Sequence, residues 1–110
     1  MKATKLFLAL VSALVLCASA FASEGPIQLS LKDHKFTPVE IHVKANVVNV
    51  ITLSNNDGLA EEFDSTSLKV EKVVAGNSSG IIRVRPLEPG RYPFMGEYHA
   101  GTAQGVVIAE

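Results

Sequence analysis

Apolar and polar residues alternate with a period of two through much of the chain, the spacing at which successive strand side chains point to opposite faces. Val39, Ile41 and Val43 fall on one side of such a run and Glu40, His42 and Lys44 on the other. That predicts a half-buried strand with His42 toward solvent. Residues 27–31 form a short strand pattern, Lys32-Asp33-His34-Lys35 a polar turn, and Phe36-Thr37-Pro38 a re-entry. Residues 47–53 are rich in β-branched side chains and predict a further strand. Ser54-Asn55-Asn56-Asp57-Gly58 breaks it, because Asp-Gly favours a reversal through positive φ. If residues 59–64 are extended, Glu61 shares a side with Phe63, the expected core anchor, and Glu62 shares the other with Asp64. Glu61 would then aim inward, where a carboxylate without a partner is costly.

Residues 65–74 suit a short turn or helix and then a strand from about Glu71, and 76–80 make another reversal. In residues 81–85, Ile82 and Val84 face one way and Ile81, Arg83 and Arg85 the other, until Pro86 and Pro89 end the ladder for want of an amide hydrogen. Residues 92–95 and 104–109 complete six to eight strands. The expected fold is all-β, a Greek-key sandwich or barrel.

The amino-terminal stretch follows a different pattern. Lys2 and Lys5 precede a nearly unbroken apolar run over 6–17, and small residues at Ala18-Ser19-Ala20 and at the second position Ala22 suit a signal peptidase. An apolar run of about 12 residues falls short of the ~20 that cross a bilayer. Residues 1–22 are therefore assigned to a signal peptide and 23–110 to one domain, with a periplasmic destination. Leu16 stands where a lipoprotein would need a small residue before Cys17. Cys17 is the only cysteine, so the domain has neither a disulfide nor a thiolate metal site.

Within 23–110, eight Lys or Arg stand against eleven Asp or Glu, a net charge of minus three, with no basic cluster. That composition argues against nucleic acid as a partner. No Gly-x-Ser-x-Gly elbow or phosphate-cradling glycine motif is present, and Ser78-Ser79 has no histidine near it in sequence. A hydrolase is thereby disfavoured. An oxidase acting on ferrous iron would need a metal with an open position and ranks below a binding role.

The candidate chemistry lies in residues 90–105, GRYPFMGEYHAGTAQG, where Glu97 and His99 occupy a loop between two strands. Extended backbone would place both on one side. A second loop supplies Glu61 and Glu62, with Asp64 close by. Carboxylate and imidazole together suit Fe2+, Fe3+, Cu2+ or Zn2+.

The segments KDHKFTPVEIHVKANVVNVITLSNNDG and GRYPFMGEYHAGTAQGVVIA resemble the early strands and the closing ligand loop of the cupredoxin family. The resemblance implies a cupredoxin-like sandwich and, in blue copper members, a site of two histidines, a cysteine and usually a methionine. Here Glu61 or Glu62 takes the first-loop position, Gly96 that of the cysteine and Ala103 that of the methionine, while His99 is retained. A blue centre is excluded. AEEFDSTSLKVEKVV and RPLEPGRYPFMGEYHAGTAQG are further similar to cupredoxin-like periplasmic proteins associated with bacterial high-affinity iron uptake. That likeness implies a copper or iron ion, for which the candidate ligands are Glu61 or Glu62 together with Glu97 and His99, with Met95 in reserve. It also implies an inner-membrane permease or another periplasmic uptake component as partner, in metal uptake or electron transfer. The alternative is a metal-free cupredoxin-fold module acting through protein contacts. An exposed edge strand would support a homodimer.

Overall fold

Among the described residues the alternating runs become nine strands: β1 (Ile27–Lys32), β2 (Lys35–Thr37), β3 (Glu40–Val43), β4 (Asn49–Asn55), β5 (Glu61–Ser65), β6 (Val70–Val74), β7 (Ser78–Val84), β8 (Gly90–Gly96) and β9 (Gln104–Ala109). The structure, a computed structural model, describes residues 25–110. The signal peptide expected over 1–22 lies outside the described residues. One sheet has the order β2-β1-β4-β7 and the other β3-β9-β8-β5-β6. Most pairs are antiparallel, with β1 parallel to β4 and β3 parallel to β9. The all-β sandwich expected from the sequence is what forms.

The strand count exceeds the expected six to eight, and the β1–β2 hairpin shows why. Lys32 pairs with Lys35, so only Asp33 and His34 form the turn, and both adopt left-handed φ of 52° and 59°. Such a two-residue turn matches the twist of its strands, and the re-entry at Phe36 becomes a strand in its own right. Two boundaries also differ. Strand β4 starts at Asn49, after exposed Val47 and Val48, and runs on to Asn55; Val39 precedes β3 and is 60% exposed, outside the core face.

The inner faces meet around three phenylalanines, one each from β2, β5 and β8. Phe63 and Phe94 stack with ring centroids 4.8 Å apart, and Phe36 meets Phe94 edge-on at 5.2 Å. Burying such a side chain is worth about 1.5–3 kcal/mol, and all three are almost wholly buried. His42 points to solvent as expected, with Nε2 3.1 Å from Glu40 and Nδ1 3.3 Å from Glu110. The β1–β2 turn, the β4–β5 and β6–β7 connections and the segment after β8 all emerge at one end of the sandwich.

Candidate functional site

Strand parity sends Glu61 inward with Phe63 and Ser65, and the Glu61 side chain is wholly buried. Its carboxylate meets the cost of burial with three donors. Oε1 accepts from the Glu62 amide at 3.0 Å and the Tyr98 amide at 2.8 Å, while Oε2 lies 2.7 Å from His99 Nδ1. An acceptor-only carboxylate fixes the tautomer: Nδ1–H of His99 donates, and Nε2 is turned away from Glu61.

The space for this carboxylate comes from two small residues. A Cβ added to Gly96 would stand 2.6 Å from the Glu61 carboxyl carbon and 2.8 Å from Ala103 Cβ. Real Cβ atoms do not approach so closely, so Glu61 requires glycine at 96. Ala103 is itself fully buried, and its carbonyl accepts from the Gly96 amide at 2.8 Å. At the positions matched by resemblance to cysteine and methionine ligands stand Gly96 and Ala103, and the space a side chain at 96 would need is filled by the Glu61 carboxyl group from the start of β5.

A second histidine completes the arrangement. The His34 ring lies against His99 with centroids 3.6 Å apart and planes tilted by 30°. Asp57 places it there. Asp57 Oδ1 accepts from the Asp33 amide at 2.7 Å and Oδ2 from the His34 amide at 2.9 Å, which pins the left-handed turn to the β4–β5 loop. His34 Nε2 lies 4.0 Å from the same carboxylate. The hydrogen bond from the His34 amide, more than that from Asp33, holds the Asp57 carboxyl below its usual range. Buried Asn55 holds the loop in turn: Nδ2 donates to Leu59 O at 2.9 Å and Val74 O at 3.2 Å, and Oδ1 accepts from the Asp57 amide at 3.0 Å. The sequence presents His34 as part of a charged turn, able to join a site only if that loop folds back. The signal that would have found it is the coupling of Asp57 to the Asp33-His34 hairpin, 24 residues away.

The expected ligand set does not assemble. Glu61 and His99 come together, but Glu62 lies on the opposite face of β5, and Met95 is on the outer face of β8, 39% exposed and in register with Asp64. Glu97 departs because residues 97–99 form a 3-10 turn rather than extended backbone. At three residues per turn, positions two apart point in different directions. The Glu97 carboxyl instead hydrogen-bonds Asp64, and that bond, followed by the charges of Asp64 and Glu62, pushes its pKa up. The expectation of a bound copper or iron ion is accordingly corrected: among the described residues, no group of three or more His, Cys, Asp or Glu is arranged to hold a metal ion. The physical reason is the separation of the acids onto two faces of β5 and the commitment of Glu61 to protein donors.

Residues 6–109 match the family model described as a cupredoxin-like domain. An uncharacterized protein of Rickettsia prowazekii (strain Madrid E) is 38% identical over 82 residues, which cover 74% of this chain and 66% of that protein. Among solved structures, the metal-binding domain of the Cu(I)-exporting P-type ATPase CopA of Streptococcus pneumoniae D39, solved with Cu(I), superposes with a TM-score of 0.70 at 16% identity, covering 81% of this chain and 91% of that one. Amicyanin from Paracoccus versutus gives a TM-score of 0.62 at 15% identity over 84% of this chain and 89% of its own. At these identities the likeness is one of fold.

Proposed function

The chain belongs to the cupredoxin-like domain family, and from that premise we propose that it is an exported, metal-free module that works through contacts with other proteins. The observation that carries this reading is the Glu61 carboxylate. It fills the space a side chain at position 96 would need, and it already accepts from two amides and His99. Recruiting it to an ion would strip three donors of their acceptor inside the protein, where each lost hydrogen bond costs about 1–3 kcal/mol.

The setting is the cell envelope, reached through the signal peptide assigned to 1–22. Resemblance to the periplasmic proteins of iron uptake supports a permease-linked system as the place of work. The likeness to a domain of a Cu(I)-exporting ATPase supports the same association with a membrane transporter. In this role His34 and His99 form part of the surface at the loop end, their side chains 36% and 24% exposed, while Glu61 and Asp57 hold them in place.

Metal analysis of the purified protein tests the reading directly. We expect no copper or iron retained at stoichiometric level, and no displacement of the Tyr98 or Glu62 amide resonances when Cu2+ or Fe2+ is added at equimolar concentration. Stoichiometric retention that is lost in His99→Ala would overturn it.

A further inference from the structure

The two outer faces of the sandwich carry opposite charge. On the four-stranded sheet the outward positions include Lys32, Lys35 and Arg83, and its strands contain no Asp or Glu. On the five-stranded sheet the outward positions include Glu40, Glu62, Asp64 and Glu71, joined by Glu97 through its bond to Asp64; Arg91 and His42, the latter against Glu40 and Glu110, also point outward, and Lys72 is exposed on the edge strand β6. Each face also bears exposed apolar side chains where a sheet surface is ordinarily polar. Ile81 is 53% exposed on the basic face, and Val73 and Met95 are 52% and 39% exposed on the acidic one, on either side of β5. Neither sheet is covered by a helix or loop among the described residues.

We infer that the protein associates with a second copy of itself, the basic face of one molecule on the acidic face of the next. This rests on the reading that the domain works through protein contacts, and it names the surface and the partner. Both complementary halves are present on one chain, so the contact is heterologous: it uses two different patches and repeats as an open series instead of closing as a symmetric pair. The acids are crowded in the free molecule, since Glu97 and Asp64 share a hydrogen bond while Glu62 adds its charge. A cationic face brought against them relieves that repulsion.

The size of the faces sets the strength. Four strands about 4.8 Å apart and up to seven residues long, at ~3.3 Å per residue, make a surface of roughly 19 by 23 Å. Stacking two such faces buries on the order of 900 Å2 in total, below the ~1,200 Å2 of stable complexes. The contact is therefore transient and dependent on concentration. Its electrostatic part is screened as the Debye length falls from about 10 Å at 0.1 M salt to about 3 Å at 1 M.

Sedimentation velocity on the purified protein decides the matter, using two double variants whose folding is checked by thermal melting. One is Glu62→Lys/Glu97→Lys on the acidic face and the other Lys35→Glu/Arg83→Glu on the basic face. The unaltered protein should sediment faster as concentration rises from ~10 μM to ~1 mM at low salt, with association weakened at least about tenfold in 1 M salt. Each variant alone presents two faces of like charge and should stay monomeric by itself. Mixed one to one, the variants should associate, because the first now carries two basic faces and the second two acidic ones, and the intact basic face of the first meets the intact acidic face of the second. The mixture should therefore contain the heterodimer and sediment faster than either variant alone. Wild-type protein without concentration dependence, or a mixture without heterodimer, overturns the proposal. Metal content measured on the same samples reads the metal-free assignment separately, since retained metal would sink that assignment while leaving the behaviour of the mixture unchanged.

Discussion

The Glu61 carboxyl carbon and the Cβ position of Gly96 lie 2.6 Å apart, so a side chain can stand at one of the two positions but not at both. Gly96→Ala should therefore destabilise the fold by about 1–3 kcal/mol, the usual cost of overpacking. In the Glu61→Ala background the clash with the carboxyl group is gone. Urea unfolding of both single variants and the pair should give a double cost smaller than the sum by at least about 1 kcal/mol, the coupling of residues that share one volume. Additive costs would show that the two positions do not compete.

Glu61 also serves three donors, and its replacements separate shape from charge. Glu61→Ala leaves the Glu62 and Tyr98 amides and His99 Nδ1 without their acceptor, and the expected loss is about 3–5 kcal/mol, as for a broken buried pair. Glu61→Gln keeps an acceptor for the two amides and should cost less, about 1–3 kcal/mol. The order of unfolding midpoints, wild type above Gln above Ala, is the check. Equal midpoints for wild type and Ala would show that the hydrogen bonds contribute nothing.

Much of this was legible in the pattern of residues. Period-two alternation located the strands, and parity alone directed Glu61 inward beside Phe63 and identified the cost that His99 now offsets. The failures share one cause, which is information held outside the local sequence. Glu97 and His99 were expected on one side because extended backbone was assumed, whereas the 3-10 turn at Glu97–His99 separates them. Nothing in Lys32-Asp33-His34-Lys35 announces that the Asp57 carboxylate captures the turn. Glu62 and Met95 were grouped with Glu61 by nearness in sequence or loop, although each stands on the outer face of its strand. Residue types suggested a metal site, and the backbone distributed them to two sides of one sheet.

Asp57 gives the loop end a defined response to acid. Its carboxyl is held below the usual value of 3.8, first by the His34 amide and also by that of Asp33. A depressed folded pKa means that the stabilisation is present above the unfolded value and lost as pH falls through the folded one. The difference in denaturation midpoint between wild type and Asp57→Asn should therefore be largest near pH 6 and shrink steadily below about pH 4. A difference independent of pH would remove ionisation of Asp57 from the account.

Glu97 works in the opposite sense. The hydrogen bond with Asp64, and then the charges of Asp64 and Glu62, push its carboxyl above the usual 4.5. The folded state thus binds this proton more tightly than the unfolded chain, so ionisation of Glu97 at neutral pH works against folding, and the penalty fades as pH falls through the raised value toward 4.5. Glu97→Gln removes the charge while keeping a group able to donate to Asp64. It should raise the melting temperature near pH 7, and the gain should vanish at about pH 4, where wild-type Glu97 is itself protonated. Asp57 is unaltered in both proteins, so its own acid response cancels in the comparison. A lower melting temperature for Glu97→Gln near pH 7 would mean that the Glu97 charge finds a cation that outweighs Asp64 and Glu62.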